Sequence, residues 1–351
     1  MMKPEKTIEQ GSSASRATRI PAILMVGGRS RVLCVLLIAG LGIVAWAWHK
    51  NSSVFARPQE VAVPGASAED ETGPDLDFDR RCHSPGVVKC AGFDSPKEIA
   101  PSVYNDSRGQ LRALIDTDVK SSGRGSLRFE IPSHSGQNSS GGWTSGLGAA
   151  FGQGQTFYVQ YRQRFSPEFL KTKYQDAEGW KQSIFHMGTS TCAAMEITTV
   201  NSYHRGYPQM YTNCGGRSFD VDLHNYDFLY ETGDYNCHRS NPNPHDCAFY
   251  KANQWMTFYY EIKIGGWGKP DSTIKAWVGY EGEPLKQFEN GLNYQLDFNS
   301  SPSDGFNAIT LTPYNTGKSP AQDHPTAYTW YDELIVSRQP IPAPGQNTRH
   351  E

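Results

Sequence analysis

The stretch EGWKQSIFHMG, Glu178–Gly188, has the apolar residues of a β-strand but carries polar side chains where a buried strand would have none. Side chains on a strand alternate between its two faces. One predicted face consists of Gln182, Ile184 and His186. The other consists of Lys181, Ser183, Phe185 and Met187. The face with the glutamine and the histidine is either a reactive surface or a solvated rim.

The rest of the chain predicts an all-β fold. Glycine (34 residues), proline (22) and aromatic residues (12%) are plentiful in the 351 residues, and long amphipathic helical patterns are scarce. Strand-like runs between turn residues include SLRFEI (Ser126–Ile131), QTFYVQYRQRF (Gln155–Phe165) and AYTWYDELIVS (Ala327–Ser337). No segment repeats at a fixed period, which argues against a propeller or a solenoid. We expect one sandwich of two packed antiparallel sheets over residues 80–340, after a flexible linker (49–79) and before a disordered tail (341–351).

The N-terminal part is predicted to be a membrane segment. Arg31–Trp48 reads RVLCVLLIAGLGIVAWAW, an apolar run long enough to cross a bilayer, and basic residues precede it. By the positive-inside rule, residues 1–31 stay in the cytoplasm, residues 32–48 form a transmembrane signal-anchor, and the remainder is exported to the periplasm or the extracellular space. The alternative is a signal peptide cleaved near Val54–Ala56, which would release a secreted protein.

The charge of the exported part excludes one class of partner. Residues 1–50 contain seven Lys or Arg and two Glu, so 26 of the chain's 33 basic residues and 34 of its 36 acidic residues follow them. The exported part therefore has a net charge of −8. Binding to nucleic acid phosphates calls for a basic surface, so nucleic acid is not expected as a partner.

Cysteine usage agrees with export. Six cysteines lie outside the apolar run, an even number that indicates three disulfides in an oxidising compartment. Sequence neighbours suggest the pairs Cys82–Cys90, Cys192–Cys214 and Cys237–Cys247. The alternative is a zinc site that uses His238 and His245 beside the last two cysteines, but the sequence has no C-x-x-C pair.

Three segments carry a resemblance to a known family. They are FYVQYRQRFSPEF (Phe157–Phe169), WKQSIFHMG (Trp180–Gly188) and AYTWYDELIVSRQPI (Ala327–Ile341). They resemble, respectively, the arginine-bearing strand, the glutamine and histidine strand and the closing strand of concanavalin A-like jelly-roll proteins, nearest to the alginate, glucuronan or heparin lyase-like polysaccharide lyases. In alginate-lyase-type members the glutamine and the histidine are two residues apart, whereas Gln182 and His186 are four apart. The C-terminal tyrosine and lysine motif of those enzymes has no clear counterpart here.

The resemblance assigns a chemistry to these segments. A uronate lyase needs a cation or an amide that neutralises the substrate carboxylate, a base for the proton of the neighbouring carbon, and an acid for the leaving oxygen. His186 is the predicted base, and Tyr203 or Tyr211 is the predicted acid. The predicted substrate-binding residues are Gln182, Arg162, Arg164, Lys181, Arg205, Gln209 and Asn213.

Each of these candidates also has a plainer interpretation. The two arginines of Gln155–Phe165 fit a row of charges on the solvated face of a strand. A lone histidine on a half-apolar strand is more often hydrogen-bonded structure. The aromatic run NSYHRGYPQMY, Asn201–Tyr211, fits an ordinary turn as well as the roof of a sugar cleft.

A glycoside hydrolase is disfavoured, because no strand face offers two suitably spaced carboxylates. Glu196 is followed on its own face by Thr198 and Val200, and Asp332 and Glu333 are adjacent and predicted to face opposite ways. Asp332 is predicted to be a surface or capping residue. No cofactor is expected, except that the resemblance allows a structural calcium ion near Asp332, although the sequence has no D-x-D-x-D-G loop.

Three functions are consistent with these patterns. The first is an extracytoplasmic polysaccharide lyase that cleaves a uronate-containing glycan by β-elimination. The second is a non-catalytic carbohydrate-binding or adhesion domain on the same sandwich, which needs amides and aromatic rings but no base. The third is a structural envelope protein without a glycan ligand. The lyase needs His186 and an arginine side by side in a groove, which distinguishes it from the binding domain.

Overall fold

The computed structural model divides the chain into two compact units, Met1–Ala66 and Ser67–Glu351. The residues that it describes lie in the second unit. They are residues 73–100, 102–105, 113–137, 140–172, 174, 180–188, 191–192, 194–201, 208–214, 217–220, 249–296, 305–315 and 318–345. None of the helices within these ranges is long and apolar enough to span a membrane, and the predicted membrane segment lies outside them.

The described strands form two antiparallel sheets that pack face to face. The eight-stranded sheet contains, in spatial order, β13 (Lys286–Gln295), β12 (Pro270–Tyr280), β11 (Met256–Lys263), β6 (Thr156–Phe165), β15 (Ala327–Ser337), β4 (Ser126–Ile131) and β3 (Ala113–Asp116), with β1 (Val87–Ala91) paired to the second half of β15. The seven-stranded sheet contains β10 (Arg217–Asp220), β9 (Pro208–Cys214), β8 (Glu196–Asn201), β7 (Trp180–His186), β14 (Phe306–Tyr314), β5 (Gly142–Phe151) and β2 (Val103–Tyr104). The helices are α1 (Pro74–Cys82), α2 (Pro96–Ile99) and α3 (Pro167–Lys171). The predicted sandwich of two antiparallel sheets is confirmed.

Aromatic residues from both sheets fill the space between them. Phe157 of β6 and Tyr260 of β11 meet Phe185 of β7, with ring centroids 6.1 Å and 5.0 Å apart. Buried hydroxyl groups need hydrogen-bond partners. The Tyr161 hydroxyl donates to Ser183 Oγ at 3.1 Å and lies 2.9 Å from the Tyr260 hydroxyl. These hydrogen bonds fix Ser183 on the inner side of β7.

The element boundaries agree with the sequence patterns except in a few places. Strands β4 and β15 match the predicted runs residue for residue. The patterns do not predict β5 and β13, because their sequences GWTSGLGAAF and KQFENGLNYQ contain glycine and asparagine, which are depleted in strands. Helix α1 begins at Pro74, inside the predicted linker, and Ile341 at the start of the predicted tail is buried.

A buried ion network attaches helix α1 to the eight-stranded sheet. Arg81 Nε donates to the Asp77 carboxylate at 2.8 Å, and the two terminal nitrogens of Arg81 donate to Gln160 Oε1 at 2.6 Å and to the Glu333 carboxylate. The disulfide Cys82–Cys90 joins the last helical residue to β1. Gln160 and Glu333 lie far from the helix in the sequence, so local composition alone predicts a polar linker for this segment.

The first prediction concerns this network. Replacing Arg81 by Met leaves the buried carboxylates of Asp77 and Glu333 without their common cation, and breaking a buried ion pair in this way costs about 3 kcal/mol or more. We expect urea denaturation to show that loss in the free energy of unfolding. The matched control is Lys275→Met, which removes the partly exposed pair with Glu261 and should cost less than about 1 kcal/mol. Equal losses in both variants would show that the network does not anchor the helix.

Candidate functional site

An extra residue interrupts the regular alternation of β7. Lys181 pairs with Val200 of β8, but Ser183 pairs with the next residue of β8, Thr199, so Gln182 is the additional residue of a β-bulge. Beyond the bulge the strand continues with Ser183 facing the core and Ile184 facing outward. Lys181 consequently lies on the same side of the sheet as Ile184 and His186.

The predicted position of Gln182 on the face of His186 is wrong. The Gln182 Oε1 atom accepts a hydrogen bond from the Tyr250 hydroxyl at 3.3 Å, and the Tyr250 ring packs 5.0 Å from that of Phe165 in the opposite sheet. The backbone carbonyl of Gln182 accepts from the Tyr331 hydroxyl at 2.9 Å. Because of the bulge, Gln182 faces the space between the sheets and Lys181 takes the place predicted for it.

The predicted arginine clamp is also separated from His186. Arg162 and Arg164 lie on β6 in the eight-stranded sheet, and their side chains point away from the core, whereas His186 is on the outward side of the other sheet. Arg162 donates to Ser121 and lies 3.4 Å from a Glu333 oxygen, and the Arg164 guanidinium lies 6.0 Å from the centre of the Trp330 ring. Their shared face was predicted, but alternation cannot say which sheet a strand joins.

The outward side of the seven-stranded sheet around His186 forms a surface that we call the His186 face. Its described members, placed by strand register, are Lys181, Ile184, His186, Glu196, Thr198, Gln209, Tyr211, Asn213, Thr310, Tyr314 and Thr144. His186 pairs with Glu196, which pairs with Asn213, and Ile184 pairs with Thr198, which pairs with Tyr211. The register thus brings Lys181, Gln209, Tyr211 and Asn213 to the predicted site, while Tyr203 and Arg205 lie outside the described residues.

His186 is a buried, uncharged imidazole. Its Nε2 atom lies 3.0 Å from Thr310 Oγ1, which lies 2.7 Å from Thr144 Oγ1. Burial lowers the pKa of His186, and the backbone of Met187 partly opposes this effect. An imidazole with a lowered pKa is neutral at neutral pH, which is the form that a general base needs.

Lys181 and Glu196 form an ion pair beside this imidazole. The Lys181 Nζ atom lies 3.8 Å from Glu196 Oε2 and 5.4 Å from the centre of the Tyr314 ring. The other Glu196 oxygen accepts the Cys192 N–H at 2.5 Å. Burial raises the pKa of Glu196, and Lys181 and the Cys192 N–H oppose that rise. The sequence predicts no partner for Glu196, because the cross-strand pairing cannot be read along one strand.

Tyr211 is the described tyrosine that matches a predicted acid. It is buried on β9 and pairs with Thr198 of β8. Burial raises the pKa of Tyr211, the neighbouring Thr198 hydroxyl opposes this, and the Glu196 carboxylate adds to it. The phenol therefore keeps its proton at neutral pH, as a proton donor must.

Two of the three predicted disulfides are confirmed. Cys82–Cys90 and Cys192–Cys214 are both formed, and Cys237 and Cys247 lie outside the described residues. Within the described part of the chain, the one group of side chains close enough to hold a metal ion is Cys192, Glu196 and Cys214. Both of its sulfur atoms belong to a disulfide, so neither is a thiolate ligand, and the group does not fit a metal.

The predicted opposite orientation of Asp332 and Glu333 is wrong. A second bulge lies here, because Asp332 pairs with Arg162 and Ile335 with Gln160, and Glu333 has φ +50°, which places both carboxylates on one side. The Ser121 N–H donates to Asp332 Oδ2 at 2.7 Å and the Ser121 hydroxyl to Glu333 Oε1 at 2.6 Å. Asp332 is thus a capping residue, as predicted, but it is fully buried, and burial raises its pKa.

A cavity of about 670 Å³ adjoins this second pair of carboxylates, on the opposite side of the sandwich from His186. Its wall has four carboxylates, from Asp77, Glu281, Glu283 and Glu333, and the guanidinium of Arg162 contacts Glu281 and Glu333. Among the described residues that line it there is no histidine or lysine. Its wall has more carboxylates than guanidinium groups, which disfavours an anionic uronate, and it offers no imidazole, so we place the candidate active site on the His186 face.

Comparisons with known proteins agree with this architecture. No protein-family model matches the chain, and none of the curated proteins matches it in sequence. Among solved structures, an alginate lyase from Aplysia kurodai aligns with a TM-score of 0.51 and 14% identity over 71% of this chain and 98% of its own. The chain has the jelly-roll fold of that lyase. An endo-β-1,4-glucuronan lyase from Trichoderma reesei aligns with a TM-score of 0.41 and 13% identity over 67% of this chain and 93% of its own. An alginate lyase from a Chlorella virus aligns with a TM-score of 0.43 and 9% identity over 72% of this chain and 99% of its own.

The predicted resemblance to jelly-roll polysaccharide lyases is confirmed as a likeness of fold. At these identities the comparison does not carry over individual residues, so the site depends on its own geometry. That geometry brings the predicted residues Lys181, His186, Gln209, Tyr211 and Asn213 to one face and separates Gln182, Arg162 and Arg164 from them.

The second prediction tests the state of the histidine. A proton NMR titration of the full chain should give His186 a pKa below the 6.5 of an ordinary histidine, because the buried imidazole loses hydration when it is charged. The signal is assigned by its loss in His186→Gln. A measured value above 6.5 would mean that the residue is a cation at mildly acidic pH and would contradict the neutral base.

Proposed function

We propose that the chain is a membrane-anchored, exported polysaccharide lyase that cleaves a uronate-containing glycan by β-elimination. The observation that carries the proposal is the convergence of a cation, a neutral imidazole and a protonated phenol on one sheet face, in Lys181, His186 and Tyr211. An alginate lyase has the same fold, which supports the reaction class. The apolar run at residues 32–48 and the disulfides support the anchor and export.

The three groups divide the elimination among them. Lys181 binds the uronate carboxylate and stabilises the negative charge that develops on it. His186 removes the proton from the carbon beside the carboxylate, C5, and the electron pair of that bond forms the C4–C5 double bond. The C4–O bond breaks, and Tyr211 gives its proton to the leaving oxygen. The products are a new reducing end and an unsaturated uronate.

Gln209 and Asn213 complete the proposed site as hydrogen-bonding residues for the sugar. They flank Tyr211 on the same face of β9, as their alternation predicts. Tyr203 and Arg205, which precede β9 in the sequence, remain predictions for the acid and for a second cation. Nucleic acid remains an unexpected partner because the exported part is acidic.

The third prediction is the direct test of the lyase. The full chain is mixed with alginate, glucuronan and other uronate polysaccharides, and the ultraviolet absorbance of the new double bond is followed. We expect the absorbance to rise with the wild type and to fall by at least about 10²-fold in rate with His186→Ala, because the base is lost. The control is His83→Ala, an exposed histidine whose loss should leave the rate unchanged. Full activity of a folded His186→Ala variant would remove the proposed base.

The fourth prediction separates the lysine from the arginines. Lys181→Met should lower kcat/KM by about 10²-fold or more, because the developing carboxylate charge loses its cation. Lys275→Met and Arg164→Gln, both on the eight-stranded sheet, should leave kcat/KM unchanged. A loss with Arg164→Gln that matches the loss with Lys181→Met would contradict the position of the site.

A specific observation also favours the non-catalytic carbohydrate-binding domain. The described part of the His186 face contains no arginine, and both key groups already have protein partners, Lys181 in Glu196 and His186 in Thr310. A lectin-like surface needs only hydrogen-bonding groups and does not require these partners to be released. Binding on a glycan array, without any absorbance change across the uronate panel, would select this alternative.

A further inference from the structure

We infer that Glu196 couples substrate binding at the His186 face to a proton: its carboxylate pairs with the Lys181 ammonium in the free protein and gives way to a substrate carboxylate only by taking up a proton. This inference depends on the proposed function, since it assumes that a uronate binds at Lys181. It gives Glu196 a role as the partner of Lys181, which the sequence alone does not predict.

The geometry makes the pair asymmetric. Glu196 Oε2 lies 3.8 Å from Lys181 Nζ, and 22% of the Lys181 side chain is exposed but only 1% of the Glu196 side chain. A ligand therefore reaches the ammonium from solvent, but it cannot displace the carboxylate into solvent. The Cys192 N–H, held next to β9 by the disulfide Cys192–Cys214, fixes the other Glu196 oxygen.

Charge balance then requires a proton. In the free protein the ammonium and the carboxylate compensate each other. When a uronate binds, two carboxylates share one ammonium at a poorly hydrated site. Two like charges that share one counter-ion oppose each other, so one of the carboxylates tends to be protonated. The buried Glu196 is the group that neutralises, because the uronate retains contact with water. The binding of each uronate is thus accompanied by the uptake of about one proton, at Glu196.

Other groups on the face also respond to pH, so the test has to isolate Glu196. The titratable groups that face it are Lys181 and His186 from β7, Tyr211 from β9 and Tyr314 from β14. Protonation of His186 would itself attract a uronate at low pH. Burial raises the pKa of Tyr211 further from neutral pH, and the cysteines of the neighbouring disulfide do not titrate.

The experiment measures binding in a His186→Gln background, which stops turnover and removes the titration of the imidazole. Isothermal titration calorimetry of the full chain with alginate oligosaccharides runs from about pH 5 to about pH 8, in buffers of different ionisation enthalpy. We expect Kd to rise by up to about tenfold for each unit of pH. We also expect the protein to take up about one proton for each uronate that binds at Lys181. The additional change Glu196→Gln should abolish the proton uptake, flatten the pH dependence and tighten binding at the high end by about tenfold or more.

Two controls give the outcomes distinct meanings. Glu261→Gln removes a carboxylate 3.6 Å from Lys275 on the other sheet and should change neither Kd nor proton uptake. Neutral cello-oligosaccharides should show no proton uptake with any variant. If Glu196→Gln binds alginate more weakly, or keeps the same pH dependence, the inference is overturned and the proposed function stands. If alginate and glucuronan oligosaccharides bind to none of the variants at any pH, the proposed function fails and the inference with it.

Discussion

The composition of the candidate site depends on one extra residue in β7. Trp180 and Ser183 both face the core, the first against Phe169 and Tyr174 and the second against the core hydroxyls. Residues three apart cannot share a face on a regular strand, so Gln182 has to be accommodated as a bulge. The bulge frees the carbonyl of Gln182 from the strand ladder, and Tyr331 of the opposite sheet satisfies it. Lys181 reaches the outward face as a consequence.

The alternation of side chains between the two faces of a strand also explains which features the sequence predicted and which it did not. It predicted the sandwich, the bounds of β4 and β15 and the shared face of Gln209, Tyr211 and Asn213, because these depend on local alternation. The faces predicted for Gln182 and Glu333 were wrong, because each residue lies at a bulge that reverses the alternation. Nothing in single-strand periodicity marks a bulge at a glutamine or a glutamate. Sheet membership, which separates the arginines from His186, depends on the whole topology.

The charged side chains are paired differently on the two outward faces of the sandwich. On the eight-stranded sheet, Arg81 and Arg162 compensate the buried carboxylates of Asp77 and Glu333, a closed network that holds helix α1 in place. The arginines therefore serve the fold. On the His186 face a single lysine faces one carboxylate, and its side chain is partly open to solvent. On this face the lysine, the imidazole of His186 and the phenol of Tyr211 lie on one side of the same sheet.

Burial favours the protonation states that an elimination needs. Removing a group from water disfavours its charged form, which lowers the pKa of a histidine and raises that of a tyrosine. On the His186 face the same cause makes His186 an acceptor and Tyr211 a donor at one pH. The cation of this face is already paired, since Lys181 Nζ lies 3.8 Å from Glu196 Oε2. Glu196 therefore compensates the charge of Lys181 in the free protein and would compete for this cation with the carboxylate of the proposed substrate.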